Sequence, residues 1–146
     1  MEYCLITFGT NFLKLQQRFK YISFETNDVG LEYSKNLLLE KEGLATINLR
    51  LTDWKEENFD ITDYRLGRDG VGAISIYRDL TLLRNEENRT KRYLYALEVL
   101  HFAMLKWVDY YNMDNKRQFE EAFKRTKERI DLGERLPSFL QFMMNG

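Results

Sequence analysis

The chain has 146 residues, 44% of them hydrophobic and 14% aromatic, which is enough to bury one domain-sized core and too apolar for a disordered segment. Its 22 basic and 23 acidic residues leave a formal net charge of -1, without the positive field that general nucleic-acid or anionic-membrane binding needs. The single cysteine, Cys4, forms no intrachain disulfide, and the short apolar run at the N-terminus does not read as a signal peptide, so the expected location is the cytoplasm.

Cys4, Ile6 and Phe8 alternate with Tyr3, Leu5 and Thr7, which predicts a short strand with one apolar face. Gly9-Thr10-Asn11 then forms a turn able to cap a short helix through about Arg18, and Tyr21 to Phe24 reads as β. Asn27-Asp28-Val29-Gly30 is a turn signal. Leu31, Tyr33, Leu37 and Leu39 share one parity and predict a strand from Leu31 to Glu40, with a helix over Ser34 to Leu39 as the alternative. Ala45, Ile47, Leu49 and Leu51 oppose Thr46, Asn48, Arg50 and Thr52 in the cleanest amphipathic strand of the chain. Ile61 to Leu66 and Val71 to Arg78 flank Gly67-Arg68-Asp69-Gly70 and predict a β-hairpin. Leu80 to Leu83 adds a last strand or extends that one.

The pattern changes at Asn85. Tyr93, Leu97, Leu100, Met104, Val108 and Tyr111 follow helical spacing, and so do Phe119, Ala122, Phe123, Thr126 and Ile130, with Gly133 placed as a C-cap. Pro137 suits the first turn of a terminal helix over Ser138 to Met144. Glu98, His101, Lys106 and Asp109 interrupt the apolar region, so it reads as a buried helix and not as a membrane span. The resulting expectation is a single α+β domain over residues 1–146. Its sheet is mainly antiparallel, with about five or six strands in residues 2–84, followed by two long helices and a short terminal one.

No complete catalytic or metal-binding constellation emerges. Glu98 and His101 have the Glu-x-x-His spacing of carboxylate-bridged metal sites, but such sites need more ligands than a chain with one His supplies. Cys4 sits at an apolar strand position, which favours a core role over a nucleophilic one. No Walker loop or Gly-x-Ser-x-Gly elbow occurs. Asp53-Trp54-Lys55 has the Asp-x-Lys element of some nucleases, but no upstream strand offers a persuasive second carboxylate, since Glu32 and Glu40 have other simple readings. No cofactor and no metal are expected. On the long helix, Lys91, Glu98, Phe102, Leu105 and Asp109 form one stripe, read as part of a helix sandwiched between the sheet and the last helices, with an exposed patch or the lining of a pocket as the alternative.

The strongest site signal is the acidic segment carrying Asp53, Glu56, Glu57, Asp60 and Asp63, interleaved with Trp54, Phe59 and Tyr64. Carboxylates steer association with a basic surface, and aromatic rings supply buried anchors. The expected function is therefore a non-enzymatic protein-binding domain. Its most concrete form is a small cytoplasmic bacterial inhibitor of the immunity-protein class, which neutralises a toxin with a basic surface by occlusion. The alternative is a small apolar-ligand binder with a cavity between the sheet and the long helix, its polar groups supplied by Tyr93, Glu98 and His101.

Overall fold

The computed structural model describes residues 3–11, 20–40, 44, 46–52, 61–67, 70–78, 83, 85–133 and 135–136. Their elements run β1 (Leu5–Asn11), α1 (Lys20–Leu37), β2 (Thr46–Thr52), β3 (Ile61–Leu66), β4 (Val71–Tyr77), α2 (Arg89–Tyr110) and α3 (Lys116–Asp131). The four strands form one sheet in the order β1-β2-β4-β3. β1 pairs with β2 in parallel, placing Phe8 beside Leu49, and β2 pairs with β4 in parallel, placing Leu49 beside Ile74. Only β3 runs antiparallel, against β4.

The expected antiparallel sheet of five or six strands is thus incorrect. The fold is α+β, but three of its four described strands are parallel. The strand expected from Leu31 to Glu40 and the β reading of Tyr21 to Phe24 both give way to α1. Parallel neighbours need a crossover, and α1 supplies the one between β1 and β2. Leu31, Tyr33 and Leu37 fit a two-residue period by accident. Val29, Tyr33 and Leu37 also stand four apart, and all three are buried on one face of the helix.

A second stripe of α1 explains the turn-like residues inside it. Thr26, Gly30 and Ser34 stand four apart and lie against β1. A side chain at Gly30 would come within 3.1 Å of the Ile6 carbonyl and of Phe8 Cβ, so glycine permits the close approach. Ser34 Oγ accepts from the Ile6 N–H at 2.8 Å and donates to the Gly30 carbonyl at 2.8 Å. Thr26 donates to the Phe8 carbonyl at 2.9 Å, and the Cys4 N–H donates to the Leu39 carbonyl at 2.6 Å. The helix and the residues just after it thereby pair the outward backbone groups of a sheet edge.

Ile6, Phe8, Ile47, Leu49, Leu51, Ile74 and Ile76 fill the covered face of the sheet. α1 packs on β1, α2 reaches β4, and α3 packs on α1 and α2. At the α2–β4 contact the Trp107 ring occupies the space over Gly72 that a Cβ would need. On the other face Asn48 and Arg50 are exposed, and Thr7 donates to Asn48 Oδ1 at 2.6 Å.

The alternation read in β2 holds, with Ile47, Leu49 and Leu51 buried; Ala45 lies outside the described residues. The β3–β4 hairpin also holds, closed by the Gly67 N–H on the Val71 carbonyl at 3.0 Å, with Gly70 at φ 80°. Asn88 caps α2 by accepting from the Lys91 N–H. Tyr93, Leu97, Leu100, Met104 and Val108 are buried along α2, and Phe119, Ala122, Thr126 and Ile130 along α3. Gly133, at φ 77°, follows α3 as a C-terminal glycine should. The short helices read over 12–18 and 138–144, and the strand read over 80–83, fall wholly or mainly outside the described residues. Among the described residues no helix is long and apolar enough to cross a membrane.

Candidate functional site

β1, β2 and β4 end together, with Asn11, Thr52 and Tyr77 side by side. From Thr52 the chain passes the position of β4, builds the edge strand β3 and returns as β4. Ile61, which opens β3, pairs with Ile76 of β4. Thr52 and Ile61 therefore flank β4 at its carboxyl end, two strand spacings or about 10 Å apart. Asp53, Trp54, Glu56, Glu57, Phe59 and Asp60, strung between these anchors, lie outside the described residues. Asp63 and Tyr64 belong to β3, paired with Ser75 and Ile74. Asp63 and Tyr64 thus lie in the strand expected over Ile61 to Leu66, after the undescribed connection. The carboxyl end of parallel strands, where the chain skips a position, is the usual ligand-binding end of an open sheet.

A second group of functional side chains meets where the three helices join. Tyr33 of α1 is fully buried, and its hydroxyl lies 3.0 Å from His101 Nδ1 of α2 and 3.2 Å from the Phe119 carbonyl of α3. A carbonyl only accepts, so Tyr33 spends its one proton on Phe119. The bond to His101 then requires Nδ1 to carry a hydrogen, which leaves Nε2 as the acceptor of the neutral ring. The His101 ring stacks on Phe123 with centroids 4.4 Å apart. Burial lowers the His101 pKa, while the charge of Glu120 raises it. Burial also pushes the Tyr33 phenol far above its ordinary range. Both causes favour the neutral forms, as suits a buried pair that holds helices together.

No family model, curated protein or solved structure matches this chain.

Tyr93, Glu98 and His101 differ in their surroundings. Tyr93 is buried two turns before His101, and its phenol pKa is raised by burial first and then by the charges of Asp28 and Glu25. Glu98 is exposed, and its charge reaches Lys127 of α3. His101 is half-buried with Nδ1 already engaged by Tyr33. Among the described residues no three His, Cys, Asp or Glu side chains gather as metal ligands. Cys4 is 1% exposed and part of the hydrophobic core.

The α2 stripe differs from the sandwiched reading. Lys91, Glu98 and Asp109 are exposed, and Phe102 and Leu105 are half-buried, so the stripe forms the outer side of the helix. Phe102 packs partly against the core, and two cations lie over its ring, with Arg78 4.8 Å and Lys106 5.5 Å from the ring centre. Tyr33 is the functional-type residue that sequence reasoning missed as a site. Its four-residue spacing from Val29 and Leu37 was the available signal.

Proposed function

We propose that this chain is a non-enzymatic protein-binding domain, and more narrowly a small cytoplasmic bacterial inhibitor of the immunity class that occludes a basic surface on a toxin. The observation that supports this reading is the composition of the acidic, aromatic segment together with the position of its two anchors. Its anchors, Thr52 and Ile61, sit at the carboxyl end of the parallel strands, and the connection between them carries Asp53, Glu56, Glu57 and Asp60 with Trp54 and Phe59. Occlusion needs no reacting group, only complementary charge and a buried anchor. Trp54 is the proposed anchor, and the acids raise the rate of encounter.

The test is capture of the partner from the native cell, followed by binding kinetics across a salt series. Charge reversal at Glu56, Glu57 and Asp60 should slow association and flatten its salt dependence while the melting temperature holds. Unchanged kinetics in the triple variant remove the segment from the interface. A ligand cavity between sheet and long helix draws no support from the packing, since Trp107 occupies the space over Gly72 and Ile74, Leu100 and Met104 are fully buried.

A further inference from the structure

Leu5, Thr46 and Val71 stand side by side at the amino ends of β1, β2 and β4, opposite the end that carries Thr52 and Ile61. Four of the five exposed large hydrophobic side chains among the described residues, Tyr3, Leu38, Val71 and Tyr110, lie at this end. Tyr3 precedes β1 and bridges to Glu40, two residues after Leu38. Val71 opens β4 beside Gly72, on which Trp107 packs. Tyr110 meets Tyr111 edge-on, and the Tyr111 ring lies 4.5 Å from that of Trp107. The fifth, Leu132, follows the far end of α3.

Leu38 is the least expected of these residues. Its φ of 51° is a left-handed conformation that suits glycine or asparagine after a helix, yet the position holds a leucine that is 47% exposed. Gln118 of α3 holds it in place, donating to the Leu37 carbonyl at 2.7 Å and to the Leu38 carbonyl at 3.3 Å. The backbone conformation and the exposed apolar side chain are both unfavourable in the free chain, and a contact that covers Leu38 offsets the second.

The charges around this patch are of both signs. Glu40 follows Leu38, and Asp114, Lys116 and Arg117 lead into α3. All four are exposed and form no ion pair among the described residues. A surface of one sign repels its own copy and selects a partner of the opposite sign. Here two acids are matched by two bases, so two copies of the patch do not repel. In a twofold contact residue i of one copy meets residue j of the other and the reverse, so Glu40 of each copy can meet Lys116 and Arg117 of the other.

We propose that this amino-end patch is the contact between two copies of the chain related by a twofold axis. Leu38 is its apolar anchor, and Glu40 with Lys116 and Arg117 sets its register. The contact lies away from Thr52 and Ile61, so it is independent of the proposed inhibitor role.

The test is sedimentation velocity of the intact chain across a dilution series. A reversible shift from monomer to dimer with rising concentration is expected, with no larger species, because a twofold contact closes on itself. Leu38→Asn suits the left-handed backbone and removes the apolar side chain, so it should weaken the dimer about tenfold while the melting temperature of the dilute chain holds or rises. Glu40→Lys should weaken it too, and so should Lys116→Glu combined with Arg117→Glu, since each set places like charges opposite one another. All three charge changes in one chain should restore the dimer, a recovery that neither misfolding nor overall charge produces. A chain that stays monomeric at every concentration, a dimer that none of these variants alters, or a triple charge variant that stays weak would overturn the assignment.

Discussion

His101 has its neutral form favoured inside the fold, and that has a measurable cost in acid. Its folded-state pKa is lowered from the ordinary 6.5, chiefly by burial, so the unfolded chain takes up the proton first. The stability this site contributes is complete above about pH 6.5 and is lost as the pH falls through the lower folded-state value. Urea midpoints should therefore fall as the pH is lowered from about 7, and His101→Gln should flatten that part of the curve. A slope unaltered by the substitution would assign the acid sensitivity to other groups. Tyr33→Phe removes the hydroxyl that serves both His101 and the Phe119 carbonyl, leaving two polar groups without that partner. A loss of about 1–3 kcal/mol is expected by chemical denaturation.

At the level of elements, the fold depends on close approaches that tolerate no added atoms. A methyl at Gly72 would overlap the Trp107 ring, so Gly72→Ala should destabilise by about 1–3 kcal/mol and alter the indole fluorescence. The α1–β1 seam depends on polar pairing as well. Ser34→Ala leaves the Ile6 N–H facing a methyl group, with an expected loss of about 1–3 kcal/mol and faster amide exchange at Ile6. Arg92 ties α1 to the start of α2, with its fork on both Glu25 oxygens at 2.7 and 2.9 Å and its third nitrogen on the Glu86 and Glu87 carbonyls. Lysine keeps the charge and loses this fork, so Arg92→Lys should lower the melting temperature.

At the scale of the whole molecule, the three described helices lie on one side of the sheet. The helices cover the Ile6, Leu49 and Ile74 face of the sheet, while Asn48 and Arg50 are exposed on the other face. Mostly parallel sheets usually have both faces covered, and the described residues of this second face suit contact with water at Asn48 and Arg50, with the Thr7–Asn48 hydrogen bond beside them. One hydrophobic cluster spans β1, α1, β2, β4, α2 and α3. Leu100 lies in it at 0% exposure, so Leu100→Ala should cost about 2–5 kcal/mol of unfolding free energy. A loss below about 1 kcal/mol would show that the surrounding core collapses to fill the space.

Local pattern was sufficient where burial on one face repeats without interruption. The alternation in Ile47, Leu49 and Leu51, the Gly67–Gly70 turn and the helical spacing of Leu97, Leu100 and Met104 each determine an element from neighbouring residues alone. Strand direction and partner carry no such mark, because a buried parallel strand and a buried antiparallel one present the same side chains. Asp63 and Tyr64, by contrast, fall in the strand that the sequence pattern predicts over Ile61 to Leu66, and their pairing with β4 agrees with it. Asn115 and Gln118 give no sequence signal either, since only the approach of α3 to the end of α1 turns two ordinary amides into lining of a cleft. In α1, Asn27 to Gly30 favours a turn locally, yet contact with β1 rewards a helix at those positions. Gly30 and Ser34 are chosen for what they touch across the seam, and that contact exists only in the assembled tertiary structure.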